Sequence, residues 1–199
     1  KVSKVPSKKD ATDKKSAKPQ IDKYDELMGE KLANRIISYF AASKPYTRDI
    51  FIEAASQLLE ESKIDGAIKM FQALVSLDPN SQDNPRYQSQ IVDILQEANR
   101  LDEARAQNNY LIEQYGKNSE WYQAQVKANN LVAVRYAKEA VRDAMLALAV
   151  HYHKMGKELK ATQKTSEADD NFKKAAMLYL AYVKEYPERD DTHKALFYF

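Results

Sequence analysis

From Asp22 onward apolar positions recur with the period of an α-helix, and turn-forming residues cut the pattern into segments. The clearest segment is Ala67 to Pro79, AIKMFQALVSLDP, where Ala67, Phe71 and Leu74 share one helical face and the proline stops the helix. Upstream, Tyr24, Leu27, Met28, Leu32, Ile36, Ile37 and Phe40 line one side of a helix from Asp22 to Lys44, ended by Pro45. Thr47 or Asp49 then offers an N-cap for a helix from Asp49 to Ser62, striped by Phe51, Ala54, Ala55, Leu58 and Leu59. A turn at Lys63 to Asp65 follows, with Asp65 capping a helix from Gly66 to Leu77. These two helices make an antiparallel hairpin.

The turn-forming run DPNSQDN leads into a second hairpin, Pro85 to Tyr115. Its first helix carries Ile91, Val92, Leu95 and Ala98, and its second carries Leu101, Ala104, Leu111 and Ile112. Gly116 to Ser119 breaks the pattern, and a short helix is expected from Glu120 to Ala128. After a break at Asn129 and Asn130, a long helix runs from about Val132 to Leu159, with Ala137, Val141, Ala144, Met145, Leu148, Ala149 and Tyr152 as its stripe. A last long helix spans Glu167 to Tyr186. Beyond Pro187, ERDD caps a further helix ending in HKALFYF.

These segments repeat. The template of Ala67, Phe71, Leu74 and Pro79 recurs as Ala33, Ile37, Phe40 and Pro45, and again as Ala175, Tyr179, Tyr182 and Pro187. Ala33 and Ala67 lie 34 residues apart, whereas Ala67 and Ala104 lie 37 apart, which places a three-residue insertion in the DPNSQDN loop. In the copy at Ala104, Leu111 and Gly116 the expected aromatic is Asn108, which predicts a looser hairpin with one polar side chain in need of a partner. A helix that shows one apolar stripe at a fixed repeat must bury it against its neighbours, so an all-α stack is expected.

Composition agrees with helix and adds one asymmetry. Gly 4 and Pro 6 in 199 residues are too few for a β-rich or loop-rich chain. The net charge of +2 gives no overall field for nucleic acid or a membrane. Yet Lys1 to Gln20, KVSKVPSKKDATDKKSAKPQ, holds seven lysines against Asp10 and Asp13, about +5, leaving about −3 on the rest. With two prolines and only Val2 and Val5 as large apolar residues, residues 1–22 read as a flexible tail or linker, and the array as residues 23–199. Cys 0 excludes disulfides and a thiol nucleophile and leaves the compartment open. No apolar run reaches the roughly 20 residues that a membrane span needs. A start at Lys1 instead of Met implies a removed leader or a piece of a longer protein.

The series Phe51, Ala54, Ala55, Leu58, Ala67, Phe71, Leu74 and Pro79 resembles the tetratricopeptide repeat in residue type, order and spacing. The resemblance implies a right-handed solenoid of helical hairpins whose first helices line a concave groove that takes peptide segments. Residues here at those positions are Asp49, Ile52, Ser56 and Leu59 in one hairpin and Arg86, Ser89, Asp93 and Gln96 in the next. The Lys, Asn and Arg carboxylate clamp of co-chaperones in the family is missing, since Ile52 and Ser56 stand in its place. The last hairpin is longer: nineteen residues separate Gly156 from Ala175, about fourteen more than the family spacing, so both its helices gain roughly two turns. Its Tyr152, His153, Tyr179, Tyr182, Tyr186 and Pro187 resemble elongated-repeat proteins of the bacterial envelope. That second resemblance implies a periplasmic or outer-membrane-associated complex, the alternative being a cytoplasmic adaptor or secretion-type chaperone.

Catalytic chemistry finds no foothold. His151 and His153 point apart on a helix and His193 is distant, so no metal site is expected. The acidic pairs Glu60/Glu61, Asp169/Asp170 and Asp190/Asp191 sit at helix ends, where solvated caps are the ordinary role. Phosphate-loop, nucleophile-elbow and zinc-protease motifs are absent, so neither enzyme activity nor a cofactor is expected. The lysine run lacks interleaved aromatics, which favours a solvated linker over a nucleic-acid arm. Tyr152, Tyr179 and Tyr182 read as core, and Tyr110, Tyr122 and Tyr136 as contact surface. Phe197 and Phe199 end the chain on an apolar face that needs further repeats or another chain to cover it. The expected role is a protein-protein interaction scaffold working through groove and array ends.

Overall fold

The computed structural model describes residues 23–40, 44 and 46–187. Eight helices and no strand occur among them: α1 (Lys23–Tyr39), α2 (Thr47–Glu60), α3 (Ile64–Leu77), α4 (Asn84–Glu97), α5 (Leu101–Tyr115), α6 (Glu120–Lys127), α7 (Leu131–Ala161) and α8 (Thr165–Glu185). Expectations for residues 1–22 and for the segment after Pro187, including Phe197 and Phe199, lie outside the described residues.

One turn geometry joins four helix pairs. Ser62, Asn99, Asn129 and Gln163 each adopt a positive φ, of 59°, 59°, 53° and 63°. In each case the next residue's N–H donates to the carbonyl five positions back: Lys63 to Leu58, Arg100 to Leu95, Asn130 to Gln125 and Lys164 to Leu159, at 2.7 to 3.0 Å. This left-handed C-terminal cap satisfies carbonyls that the helix end would otherwise leave without partners. The hairpin carrying Asn108 keeps the same turn and an unbroken α5.

Helix starts depart from the expected caps. Neither Thr47 nor Asp49 caps α2: Tyr46 occupies the cap position, and the Thr47 hydroxyl accepts from the Lys44 N–H at 3.0 Å. Nor does Asp65 cap α3. The Glu26 carboxylate on α1 reaches across to accept from the Ile64 and Asp65 N–H groups at 3.0 and 2.9 Å. A neighbouring helix thus supplies the anion that the positive end of α3 favours.

Packing is strictly between neighbours. α3 contacts α1, α2 and α4; α5 contacts α4, α6 and α7; α8 contacts α7 alone among the described elements. The first core gathers Ala33, Phe51, Ala55, Leu58, Ala67, Met70, Phe71 and Leu74, and continues through Ile91 and Leu95 of α4. Val92, one residue from Ile91, faces the second core of Leu111, Tyr115, Ala137, Val141, Ala144, Tyr179 and Tyr182. α4 therefore joins two cores in one stack, as expected where each hairpin buries its stripe on the next.

α1 buries less than its pattern suggests. Ala33 is fully buried and Ile36, Ile37 and Phe40 pack on the core, but Leu27, Met28 and Leu32 remain 41–45% exposed. The cause is a close crossing: an added Cβ at Gly66 would lie 2.7 Å from the Gly29 carbonyl oxygen. α1 turns its glycine and alanine face to α3, and no described element covers its other apolar side. In the last hairpin both helices run past the usual turn, Ala168 is buried, and Gly156 lies beneath the Phe172 ring.

Candidate functional site: a cleft between α4, α5 and α7

On α4 the apolar residues Ile91, Ile94 and Leu95 turn inward, which leaves Ser89, Asp93 and Gln96 on another face at helical spacing. Those three line a cleft of about 240 Å³, closed by Val92, by Asn108 and Leu111 of α5, and by Ala140, Asp143, Ala144 and Ala147 of α7. The small residues of α7 let it approach α4 and α5 closely. Arg86, one turn toward the start of α4, places its guanidinium 4.8 Å from the Tyr136 ring centroid and ties α4 to α7 beside the cleft.

Asn108 gives the cleft its polar floor. It is 4% exposed, and no group among the described residues hydrogen-bonds its amide. A phenylalanine stands at the equivalent place on α3, where Phe71 packs on the core and 6.3 Å from Tyr87. In α5 the same place holds a polar side chain that opens on the cleft. Its neighbour Gln107 is engaged instead with buried Gln88, whose Nε2 donates to Oε1 at 2.5 Å.

The electrostatics are acidic. Partial burial, then Glu97, then Asp143 raise the Asp93 carboxyl above the ordinary carboxylate range. Asp143 is paired with Arg142 on its own helix at 2.7 Å. Asp93 has no ion-pair partner among the described residues and receives only a long hydrogen bond from Gln90, 3.5 Å. The cleft thus offers carboxylates, one buried amide and apolar walls, a set that binds cationic or hydrogen-bonding groups.

The other anticipated residues scatter. Asp49, Ile52 and Ser56 are exposed on α2, and Leu59 packs partly on the first core; none reaches the α4–α7 cleft. Tyr122 is 6% exposed and packs in the second cluster at the start of α6, where it also lines a pocket with Tyr115, Val141 and Tyr186. Ser119, whose hydroxyl accepts from the Tyr122 N–H at 3.1 Å, fixes that inward turn. Tyr110 does remain 39% exposed. Asp143 and Ala147 were missed because nothing in the local pattern says that α7 lies beside α4; Asn108 carried a signal, as the polar break in an apolar template.

His151 meets the Arg105 guanidinium of α5, and His153 lies between the rings of Phe172 and Tyr179 at 5.8 and 6.2 Å. No three His, Asp or Glu side chains among the described residues form a metal-binding group. No described helix is long and apolar enough to cross a membrane.

No curated protein matches the chain. Residues 58–128, from the last turn of α2 through α6, match the family model of the tetratricopeptide repeat. Repeats of this family generally mediate protein-protein interaction. The recurring hairpin turn, the packing of each hairpin on the next and this match together mark residues 58–128 as a tetratricopeptide repeat region.

Proposed function

We propose that the chain is a non-enzymatic scaffold that holds a segment of another protein along the face formed by α4 and α7, with the Asn108 cleft as its anchor. One observation carries this reading: the Asn108 amide, which has no hydrogen-bond partner among the described residues, opens on a cleft whose rim is Ser89, Asp93 and Gln96. An amide with no partner within the fold is open to a ligand that supplies the hydrogen bond. The exposed face of α2 at Asp49, Ile52 and Ser56 extends the surface available to a longer segment.

A photoreactive residue at Gln96, compared with one at Lys160 on the hairpin tip, tests the reading in the full-length protein with its natural partners. Crosslinks are expected from position 96. Crosslinks from the tip alone place recognition on the wrong surface. The elongated α7–α8 hairpin, with Tyr179, Tyr182, Tyr186 and Pro187, supports membership of a bacterial cell-envelope complex. Fractionation of the full-length protein separates that setting from a cytoplasmic adaptor.

A further inference from the structure

We propose that a second site lies outside the α4–α7 cleft: a corner of three aromatic rings, Tyr110, Tyr115 and Trp121, that takes a quaternary ammonium group. The pocket there has a volume of about 420 Å³ and shares no lining residue with the cleft, so the inference stands apart from the partner-segment reading. The Tyr110 and Tyr115 ring centroids lie 6.5 Å apart with the planes at 80°, and those of Tyr115 and Trp121 lie 5.0 Å apart at 89°. A group seated in a right-angled corner lies against ring faces, where the quadrupole is negative. Tyr115 is the buried floor, and Tyr110, 39% exposed, is an open wall. The Trp121 indole N–H is sealed from solvent, so the ring presents carbon to the pocket.

Charge favours a cation in that corner. Glu120 lines the pocket without an ion-pair partner among the described residues, and no described Lys or Arg lines it. Val75 on α3, and Gln114 and Tyr115 on α5, belong to last helical turns that carry no basic residue, and the negative end of a helix favours positive charge. Hydrogen bonding then narrows the class. The Asn80 backbone carbonyl already accepts from the Gln125 Nε2 at 3.0 Å, and the walls are carbon. A primary ammonium or a guanidinium would give up several hydrogen bonds to water for few replacements, whereas a quaternary ammonium has none to give up. The Gln125 bond also pins α6 to the loop between α3 and α4, and the Ser119 cap fixes the start of α6, so the walls are held before a ligand arrives.

Trp121 is the single tryptophan of the chain, so its fluorescence reports on this pocket alone. Choline added to the chain is expected to shift the Trp121 emission saturably. Its neutral analogue, with a tert-butyl group in place of the trimethylammonium, should bind about tenfold more weakly. Tyr110→Leu should abolish the response and Tyr110→Phe retain it, because only the ring is removed or kept at an exposed position. Glu120→Gln should weaken binding several-fold. Phosphatidylcholine vesicles at the same headgroup concentration identify the source: a matching shift extends the site to a lipid headgroup, and a shift with free choline alone confines it to a soluble molecule. No saturable shift with either, an equal shift with sodium chloride, equal binding of the neutral analogue, or an undiminished response in Tyr110→Leu overturns the proposal.

Discussion

Asn108 and Gly66 show how single positions set stability against function. The Asn108 amide has no hydrogen-bond partner among the described residues but opens on the cleft, so it keeps access to solvent. Asn108→Leu adds apolar surface beside the second core and is expected to stabilise by up to about 1 kcal/mol and to weaken occupancy of the cleft. A lowered midpoint would mean that the amide is already satisfied. Gly66 presents the opposite balance. Alanine gains about 1 kcal/mol of helix propensity over glycine, but its Cβ would meet the Gly29 backbone oxygen at 2.7 Å, and backbone cannot step aside cheaply. Gly66→Ala should therefore destabilise, by about 1–3 kcal/mol in denaturant unfolding, and an unchanged midpoint would show that α1 is free to shift.

Between elements, α5 and α7 share a contact that depends on pH. A guanidinium has only donors, so Arg105 donates to a neutral His151 ring nitrogen and cannot do so once that nitrogen is protonated. Burial first, then Arg105, holds the His151 value below 6.5, against the opposing fields of Asp102 and Glu158, while Lys154 lowers it further. The unfolded chain consequently binds the proton more readily, and stability should fall as pH drops below about 6.5 toward the folded value. His153 is lowered too, by burial and Lys157, and contributes with the same sign. His151→Gln should flatten part of the slope of thermal midpoint between pH 7 and 5, while an unaltered slope would assign it elsewhere. The α2 to α4 junction rests on another donor: Arg48 binds Asp83 and Ser81 at 3.0 Å and Tyr87 at 3.3 Å. These partly exposed bonds set the angle between hairpins more than they add stability.

Over the whole molecule, neighbour-only packing predicts local failure. Leu74→Ala removes a fully buried side chain of the first core and should cost about 2–5 kcal/mol. Hydrogen exchange should then accelerate in α1 to α3 and much less in α7 and α8, which share no contact with them. Equal acceleration at both ends would show a single cooperative unit instead of a chain of coupled hairpins.

The sequence by itself determined the helices and their stacking, because both follow from local periodicity and from breakers such as Pro79 and Gly116. It also marked Asn108 as an exception, because one amide in an apolar template is visible without coordinates. Tertiary structure alone decided what the exception faces. The Glu26 cap of α3, the burial of Tyr122 and the placing of Asp143 opposite Asp93 join residues between 20 and 50 positions apart, or bury one by a turn upstream of it. Periodicity says which face of a helix is apolar, but the crossing of two backbones decides which neighbour that face meets.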